Sequence, residues 1–495
     1  MAGKFLKFFT PFVKAMPEIK QPQREVTFKE KFIWTAVVLI IYLILSNIPL
    51  YGVNLAESTD YFYWLRVILA SQRGTLTELG IGPIVTAGLI MQLLLGSKII
   101  NVNMADPYDR AMFSGAQKVM AVFLTIFNAI AYIAGGAFGK LGGADGIGIQ
   151  GAFFIFFQLL FAGIIIILLD ELLQKGWGLG SGVSLFIAAG VAGQIFWNCF
   201  SWVPAQDNLP RGVVIAFFTV LFDGKSSTNL GQILLRGPFP SLVGIITTVT
   251  IFLLVIWFES TRIEIPLAYR GYRGFKGKYP MKLLYVSNIP VILVNALYAN
   301  VLFFGQLFAG PYSGIRASNG GLIDDFWVNL IGIFKIEEGT GTVGGNQLIP
   351  TSGLIYLLTP PLGIDQVASD PFRAIFYLVV FIFLCILLGR VWVEVSGLSP
   401  RDIADQIIDS KMQVPGFRSS AKIIERILKR YIPTLVILNG IIIAVLSFTA
   451  DTLRALTSGT GLLIAIGIIH NYAETISKEL AASQYPGMRA MLGMD

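Results

Sequence analysis

The chain has 495 residues, of which 55% are hydrophobic and only 14% are charged. Soluble domains carry about a quarter charged residues, so this composition excludes a soluble protein and predicts one that crosses a bilayer several times. The formal net charge is +7, and the two cysteines, Cys199 and Cys385, lie in or beside apolar runs, which predicts neither a disulfide framework nor a metal site.

The segment at residues 1–31 precedes the first long apolar run. Lys4, Lys7 and Lys14 alternate with phenylalanines in KFLKFFTPFVK. That pattern is typical of a short amphipathic helix on an anionic membrane surface. The excess of Lys and Arg predicts that this N-terminal segment lies in the cytoplasm.

Ten hydrophobic segments are each about 20 residues long, the length that spans a hydrocarbon core of ~30 Å. They lie at residues 33–52, 79–100, 111–135, 149–170, 183–203, 241–258, 287–309, 374–393, 432–450 and 457–476. We therefore predict an all-α polytopic membrane protein with ten transmembrane helices, here called spans one to ten.

A shorter apolar stretch begins at Tyr61, between spans one and two. Its apolar residues have helical spacing over about a dozen positions, which is too few to cross a bilayer. The stretch carries Arg66 and Arg73 and ends at Gly74, a helix stop signal. We predict half a helix on the extracytoplasmic side, either a fixed re-entrant or interfacial element or a moving one.

The side of the membrane on which each loop lies follows from counting the spans from a cytoplasmic N-terminus. Loops 259–286 and 394–431 fall inside and are rich in Lys and Arg, as the positive-inside rule requires. Loop 204–240 and the acidic loop 310–373 fall outside. Residues 477–495 then form a cytoplasmic tail.

The spans divide into a first half at residues 32–203 and a second half at residues 241–476. Because each half has an odd number of spans, the two halves face opposite ways and form an inverted repeat about an axis in the membrane plane. A sequence echo supports the repeat, since Gly-Ser-Gly at 180–182 and Gly-Thr-Gly at 459–461 open the fifth span of each half.

Ionisable side chains are almost absent from the spans, and Lys118 is the main exception. Ion-coupled transporters need buried ionisable groups, and an intramembrane hydrolase needs a nucleophile with a base or a pair of aspartates. Neither pattern occurs, so we predict no enzyme activity, no metal and no cofactor. A passive channel is favoured, and a ten-span secondary transporter of a small solute is the alternative.

Several sequence blocks lie in order on these spans: LGIGPIVTAGLIMQLL (79–94), LLDELLQKGWGLGSGVSLFIA (168–188), YPMKLLYVSNIPVIL (279–293), VEVSGLSPRDIADQ (393–406) and SGTG (458–461). Together they resemble the SecY family, the α subunit of the Sec protein-conducting channel, in its archaeal and eukaryotic branch. The resemblance implies the central pore-forming subunit of a translocon. Such a subunit passes unfolded secretory polypeptides across the membrane and releases transmembrane segments laterally into lipid.

The resemblance also implies roles for individual residues. A plug helix at residues 60–74 would close the extracytoplasmic side of an hourglass pore and would include Trp64, Leu65, Arg66, Ile68 and Arg73. A sealing ring would consist of Ile81, Val85, Val183, Ile187, Ile292 and Ile464. A lateral gate between spans two–three and seven–eight would carry the polar residues Thr86, Gln92, Asn128 and Asn300.

The partners implied by the resemblance are a small single-span SecE-type γ subunit and a β-type subunit, which complete a heterotrimer. The ribosome would dock at Arg270, Arg273 and Arg418 in the cytoplasmic loops, unless those charges only set topology. Signal sequences, nascent polypeptides and membrane lipids are further partners. The expected location is the archaeal plasma membrane, with the endoplasmic reticulum membrane as the alternative.

Overall fold

A computed structural model describes residues 4–24, 26–53, 70–97, 99–100, 102, 106–135, 137–138, 148–205, 209–222, 231, 233–237, 239–269, 276–309, 325–338, 346–409, 412–413 and 421–484. Within these ranges the chain is mainly helical, and the only sheets are small ones in the loops.

Ten long helices lie where the ten spans are predicted. They are α1 (Phe28–Asn47), α2 (Gly82–Gly96), α3 (Pro107–Ala134), α4 (Ile149–Leu172), α5 (Gly182–Phe200), α6 (Leu242–Ser260), α7 (Ile289–Ala309), α8 (Pro371–Val395), α9 (Ala421–Thr452) and α10 (Gly459–Gln484). Among the described residues, seven helical stretches are long and apolar enough to cross a membrane by length and composition, and the other three predicted spans are α1, α2 and α10.

The predicted N-terminal helix is present at Lys4–Ala15, but it does not lie only on a membrane surface. It packs against α3, where a Cβ added to Gly115 would lie 2.6 Å from the Val13 Cγ1 atom. Phe9 packs on a cluster that includes Met91 of α2 and Met112 of α3. Part of its apolar face is therefore covered by the protein, because a glycine on α3 admits a close approach.

The fifth helix of each half begins at a buried carboxylate from the end of the fourth helix. Asp170 accepts a hydrogen bond from the backbone N–H of Val183 at 3.0 Å, at the start of α5. Asp451 accepts one from the backbone N–H of Gly459 at 2.7 Å, at the start of α10. Each carboxylate satisfies helix N-terminal donors that would otherwise be buried without a partner. The same device in both halves agrees with the predicted inverted repeat.

The loop segments contain structure that the hydrophobic pattern did not predict. Loop 204–240, which is predicted to be extracytoplasmic, holds a short apolar helix, Val213–Phe222. Loop 310–373 holds the helices Asp325–Ile331, Leu354–Leu358 and Ile364–Ser369. It also holds an antiparallel hairpin of two strands, Ile333–Glu338 and Asn346–Ser352.

The two long cytoplasmic loops are joined by one sheet. Strand β1 (Arg262–Tyr269) pairs antiparallel with β2 (Lys276–Lys282) and, at its far end, with β3 (Met412–Gln413) from the other loop. The helix Pro400–Asp409 packs on α9, and its buried Ile403 and Ile407 share an apolar cluster with Met281 of β2. The two loops, which are predicted to be cytoplasmic, therefore form one unit attached to the second half.

The contact between α3 and α4 can be tested at Gly163. A Cβ at this position would lie 2.6 Å from the Cγ2 atom of Thr125, which is buried on α3. We expect Gly163→Leu to destabilise the protein by about 1–3 kcal/mol, because the added side chain overpacks the interface. The measurement is thermal unfolding of the purified membrane complex. Gly193→Leu on α5 is the control, since nothing lies within 4 Å of a Cβ there, and an equal loss in both variants would contradict the packing.

Candidate functional site

The two halves meet along four helices that carry the predicted sealing ring. Helix α2 packs on α7, α7 packs on α10, and α10 packs on α5. Ile81 immediately precedes α2, and the Val85 N–H donates to the Ile81 carbonyl at 3.0 Å, so the two residues lie one helical turn apart. Val183 and Ile187 have the same spacing on α5. The ring positions therefore come from both halves.

All six predicted ring residues belong to one apolar cluster. Ile81, Ile187 and Ile464 have 0% exposed surface. The other three, Val85, Val183 and Ile292, are partly buried and pack against that cluster. Branched apolar side chains packed in this way exclude water and do not coordinate ions. The arrangement fits a closed constriction, and the ring role of each residue stays a prediction.

The predicted gate residues are only partly brought together. Asn300 of α7 donates through Nδ2 to the Thr86 Oγ1 atom of α2 at 3.0 Å and also to the Ala296 carbonyl at 2.6 Å. Gln92 and Asn128 are half-buried on α2 and α3. Among the described hydrogen bonds, neither joins Thr86 or Asn300. One polar bond thus links the two halves across α2 and α7.

Apolar contacts at the same boundary were missed by the sequence analysis. Phe127 of α3 lies 6.1 Å from Phe304 of α7 between ring centroids, and Tyr132 stacks on Phe303 at 5.5 Å. At the other end of the boundary, a Cβ on Gly96 of α2 would lie 2.9 Å from the Val391 Cγ1 atom of α8. The sequence alone does not indicate which aromatic residue on another helix a given aromatic side chain will contact, so these pairs could not be predicted from it.

The plug residues Trp64, Leu65, Arg66 and Ile68 lie outside the described residues, and Arg73 is half-buried. The C-terminal end of the predicted plug segment is anchored to α1 and to the residues that follow α1. The Tyr42 hydroxyl donates to the Ala70 carbonyl at 2.6 Å, and the Tyr42 ring stacks on Phe186 of α5 at 4.3 Å. The Leu50 N–H donates to the Gly74 carbonyl at 2.8 Å. The C-terminal end of the plug segment is therefore held beside α1 and α5.

The docking residues Arg270, Arg273 and Arg418 also lie outside the described residues. Their places in the chain are fixed by the sheet, because residues 270–275 connect β1 to β2 and residues 414–420 follow β3. Several described basic side chains of the sheet are already paired. Arg262 and Lys282 contact Glu474 of α10 at 3.0 and 3.2 Å. These pairs tie the sheet to the second half.

Lys118, the main ionisable residue within the predicted spans, forms an ion pair with Glu171. Glu171 also contacts Lys175 at 2.9 Å. Glu171 and Lys175 lie where α4 ends, on the predicted cytoplasmic side, and Lys118 lies in the first half of α3. The charge of Lys118 is therefore neutralised by a carboxylate at the end of the neighbouring helix.

Comparison with known proteins decides the family. A sequence model of the SecY family matches residues 75–473, and a model of the plug domain of Sec61p matches residues 40–74. The chain belongs to the SecY family. It is also 41% identical over 485 residues to the protein transport protein Sec61 subunit alpha of Dictyostelium discoideum, with 97% of this chain and 98% of the relative covered.

Solved structures agree with the SecY assignment. The structure of a protein-conducting channel superposes with a TM-score of 0.76 at 36% identity, over 96% of this chain and 97% of the other. Sec61 in the canine ribosome–channel complex from the endoplasmic reticulum gives a TM-score of 0.73 at 35% identity, over 96% and 97% of the two chains. The expected ten-span architecture with two inverted halves is confirmed. The protein is a multi-pass membrane protein of a protein-conducting channel family, not of an enzyme family, and the small-solute transporter alternative is not supported.

The polar link in this SecY-family chain can be measured by a double-mutant cycle between Thr86→Val and Asn300→Ala. Interhelical hydrogen bonds in membranes contribute about 0.6 kcal/mol on average and at most ~1.7 kcal/mol. We expect a coupling energy in that range, read from thermal unfolding of the purified complex. Pairing Thr86→Val with Asn295→Ala is the control, since the Asn295 side chain donates to the Val291 carbonyl of its own helix and, among the described hydrogen bonds, does not join Thr86. A coupling energy of zero for Thr86 and Asn300 would contradict the link.

Proposed function

We propose that this chain is the central pore-forming subunit of a Sec translocon, which passes unfolded polypeptides through the centre of the helix bundle. The observation that carries the proposal is the apolar cluster between the halves, where three of the six ring residues are fully buried. A pore of this kind must yield around a polypeptide yet exclude ions, and a ring of branched side chains does both. The chain supplies the path and no catalysis of its own.

The lateral exit in this proposal lies between α2–α3 and α7–α8. Its support is that the boundary is held by one polar bond, Asn300 to Thr86, and by aromatic contacts of α3 with α7. One interhelical hydrogen bond and a few aromatic contacts hold the helices together at rest. A hydrophobic signal sequence offers comparable apolar surface to the helices on both sides of this boundary, so it can replace these contacts.

The plug in this proposal is the segment 60–74, with Trp64, Leu65 and Ile68 facing the constriction. The match of residues 40–74 to the plug domain of Sec61p supports it. The described end of the segment also supports it, because Ala70 is bonded to Tyr42 beside α5. A segment fixed at its C-terminal end and packed by a few side chains can leave the pore without unfolding the bundle.

The partners and the membrane location that we propose for this chain are based on those of the similar proteins. Sec61 is found in a canine ribosome–channel complex from the endoplasmic reticulum. We propose that this chain likewise binds ribosomes through the loop segments 270–275 and 414–420, and assembles with γ-type and β-type subunits. The endoplasmic reticulum membrane is the proposed location rather than the archaeal plasma membrane, because the Dictyostelium relative is 41% identical.

The ring assignment is tested by ion conductance. Replacing Ile187 and Ile292 with Asn should hydrate the constriction and raise the resting conductance of the reconstituted complex in planar bilayers. Ile187→Val with Ile292→Val is the matched control, because it keeps branched apolar side chains, and it should conduct as the wild type does. Wild-type conductance in the Asn variant would place the seal elsewhere.

The docking assignment is tested by charge reversal. Arg273→Glu with Arg418→Glu should weaken ribosome binding. It should also lower the slope of the logarithm of the binding constant against the logarithm of the salt concentration by roughly one unit per lost phosphate contact. Lys335→Glu, a single charge reversal on the hairpin that is predicted to be extracytoplasmic, is the control for the reversal made at each arginine. Ribosome binding is measured by cosedimentation at several salt concentrations. If the double variant binds as the wild type does, these charges are topology determinants only.

A further inference from the structure

A buried amide joins span seven to span ten beside the constriction. Asn288 immediately precedes α7 and is 5% exposed. Its Nδ2 atom donates to the Leu463 carbonyl of α10 at 2.8 Å. Leu463 is the neighbour of Ile464, which is a predicted ring residue. The bond therefore reaches the α10 backbone at the level of the ring.

The same residue also lies one turn from a ring position on its own helix. The Ile292 N–H donates to the Asn288 carbonyl at 3.2 Å. Asn288 thus has its main chain bonded to Ile292 and its side chain bonded beside Ile464. Any rotation of α7 against α10 that moved these two ring residues apart would have to break or stretch that side-chain bond.

The Asn288 amide sits in a notch on α10 made by a glycine. A Cβ added to Gly467 would lie 1.8 Å from the Asn288 Nδ2 atom, which is too close for two non-bonded atoms, so the amide would have to move. Residue 467 is four positions after residue 463, so its N–H is directed at the same carbonyl in an α-helix. The glycine at this position is what lets the amide of another helix reach that carbonyl.

The turn before α7 holds Asn288 in this orientation. Ser287 has φ of 53°, in the left-handed region that L-residues rarely adopt. Its hydroxyl donates to the Glu259 Oε1 atom at 3.2 Å, and its carbonyl accepts from the Nδ2 atom of Asn439 of α9 at 3.2 Å. Glu259 and Asn439 are 0% and 1% exposed. Spans six and nine therefore fix the backbone that presents Asn288 to span ten.

We propose that Asn288 is a positioning residue of the pore seal, and that with Gly467 it sets the register of spans seven and ten. It does not contact a translocating chain itself. It keeps Ile292 and Ile464 directed into one constriction while α7 remains free to separate from α2 at Asn300. The inference rests on the proposed function, because it takes Ile292 and Ile464 as members of the ring.

The experiment uses Asn288→Ala, Gly467→Ala and the double variant in the reconstituted complex. The first removes the donor, and the second displaces the amide without altering Asn288. We expect resting ion conductance in planar bilayers to rise about threefold or more in each single variant, the factor that corresponds to one interhelical hydrogen bond of ~0.6 kcal/mol. Because both changes break the same contact, the double variant should leak no more than the stronger single variant.

Two controls separate this role from general damage. Asn295→Ala removes a similarly buried amide that, among the described residues, bonds to Val291 of its own helix and not to α10. Gly193→Ala adds a methyl group where nothing lies within 4 Å. Both should conduct as the wild type does. Leakage of Asn295→Ala equal to that of Asn288→Ala would overturn the inference, as would multiplying effects of Asn288→Ala and Gly467→Ala in the double variant.

A further arm distinguishes failure of this inference from failure of the proposed pore. Ile292→Asn alters the ring directly and should leak if the ring is correct. If Ile292→Asn leaks and Asn288→Ala conducts as the wild type does, the ring stands and the positioning role is wrong. If neither variant leaks, both the ring and the positioning role are wrong. Thermal unfolding of each complex shows whether conductance changes arise in folded protein.

Discussion

Water must be kept out of the proposed path between two groups of helices, and the side chains proposed to keep it out are aliphatic. Ile81, Ile187 and Ile464 have no exposed surface, and they come from the start of α2, from α5 and from α10, in two different halves. A polar or charged seal would bind ions and hold water. An aliphatic seal has no directional bonds, so its geometry depends entirely on how the surrounding helices are held.

The chain therefore uses polar groups around the seal rather than in it. Asp170 and Asp451 fix where α5 and α10 begin, and Asn288 ties α7 to α10. These bonds are buried, where an unmatched polar group costs several kcal/mol in hydrocarbon surroundings. By contrast, the bond between Asn300 and Thr86 joins the two halves, at the boundary proposed as the lateral exit. The same kind of interaction thus fixes helices within each half and links the halves at the proposed exit.

The hydrophobic pattern was sufficient for the ten spans, because a run of about 20 apolar residues has few other uses. It could not find the helix Val213–Phe222, which is apolar but too short, or β3, whose two residues become a strand only by pairing with β1. Ring positions are a different case. An isoleucine that faces lipid and one that faces a seal have the same sequence signal, so only the family resemblance selected Ile292 from its neighbours.

The family resemblance placed Thr86 and Asn300 at one boundary, but other contacts between distant parts of the chain were beyond the sequence. The N-terminal helix shows an amphipathic pattern that fits a membrane surface, but Gly115 and Val13 bring it onto α3. Asn288 reads as an ordinary residue before a proline-containing span, and its partner lies on α10. Such pairs depend on where two helices cross, which neither helix encodes alone.

The sheet in the predicted cytoplasmic loops also has a mechanical meaning. Its three strands connect directly to α6, α7 and, through the helix Pro400–Asp409, to α8 and α9, and its basic residues hold Glu474 of α10. Every one of those helices belongs to the second half. A load applied to this sheet therefore reaches the helices of the second half through direct chain connections and through the ion pairs with Glu474, and none of the sheet's described strands comes from the first half.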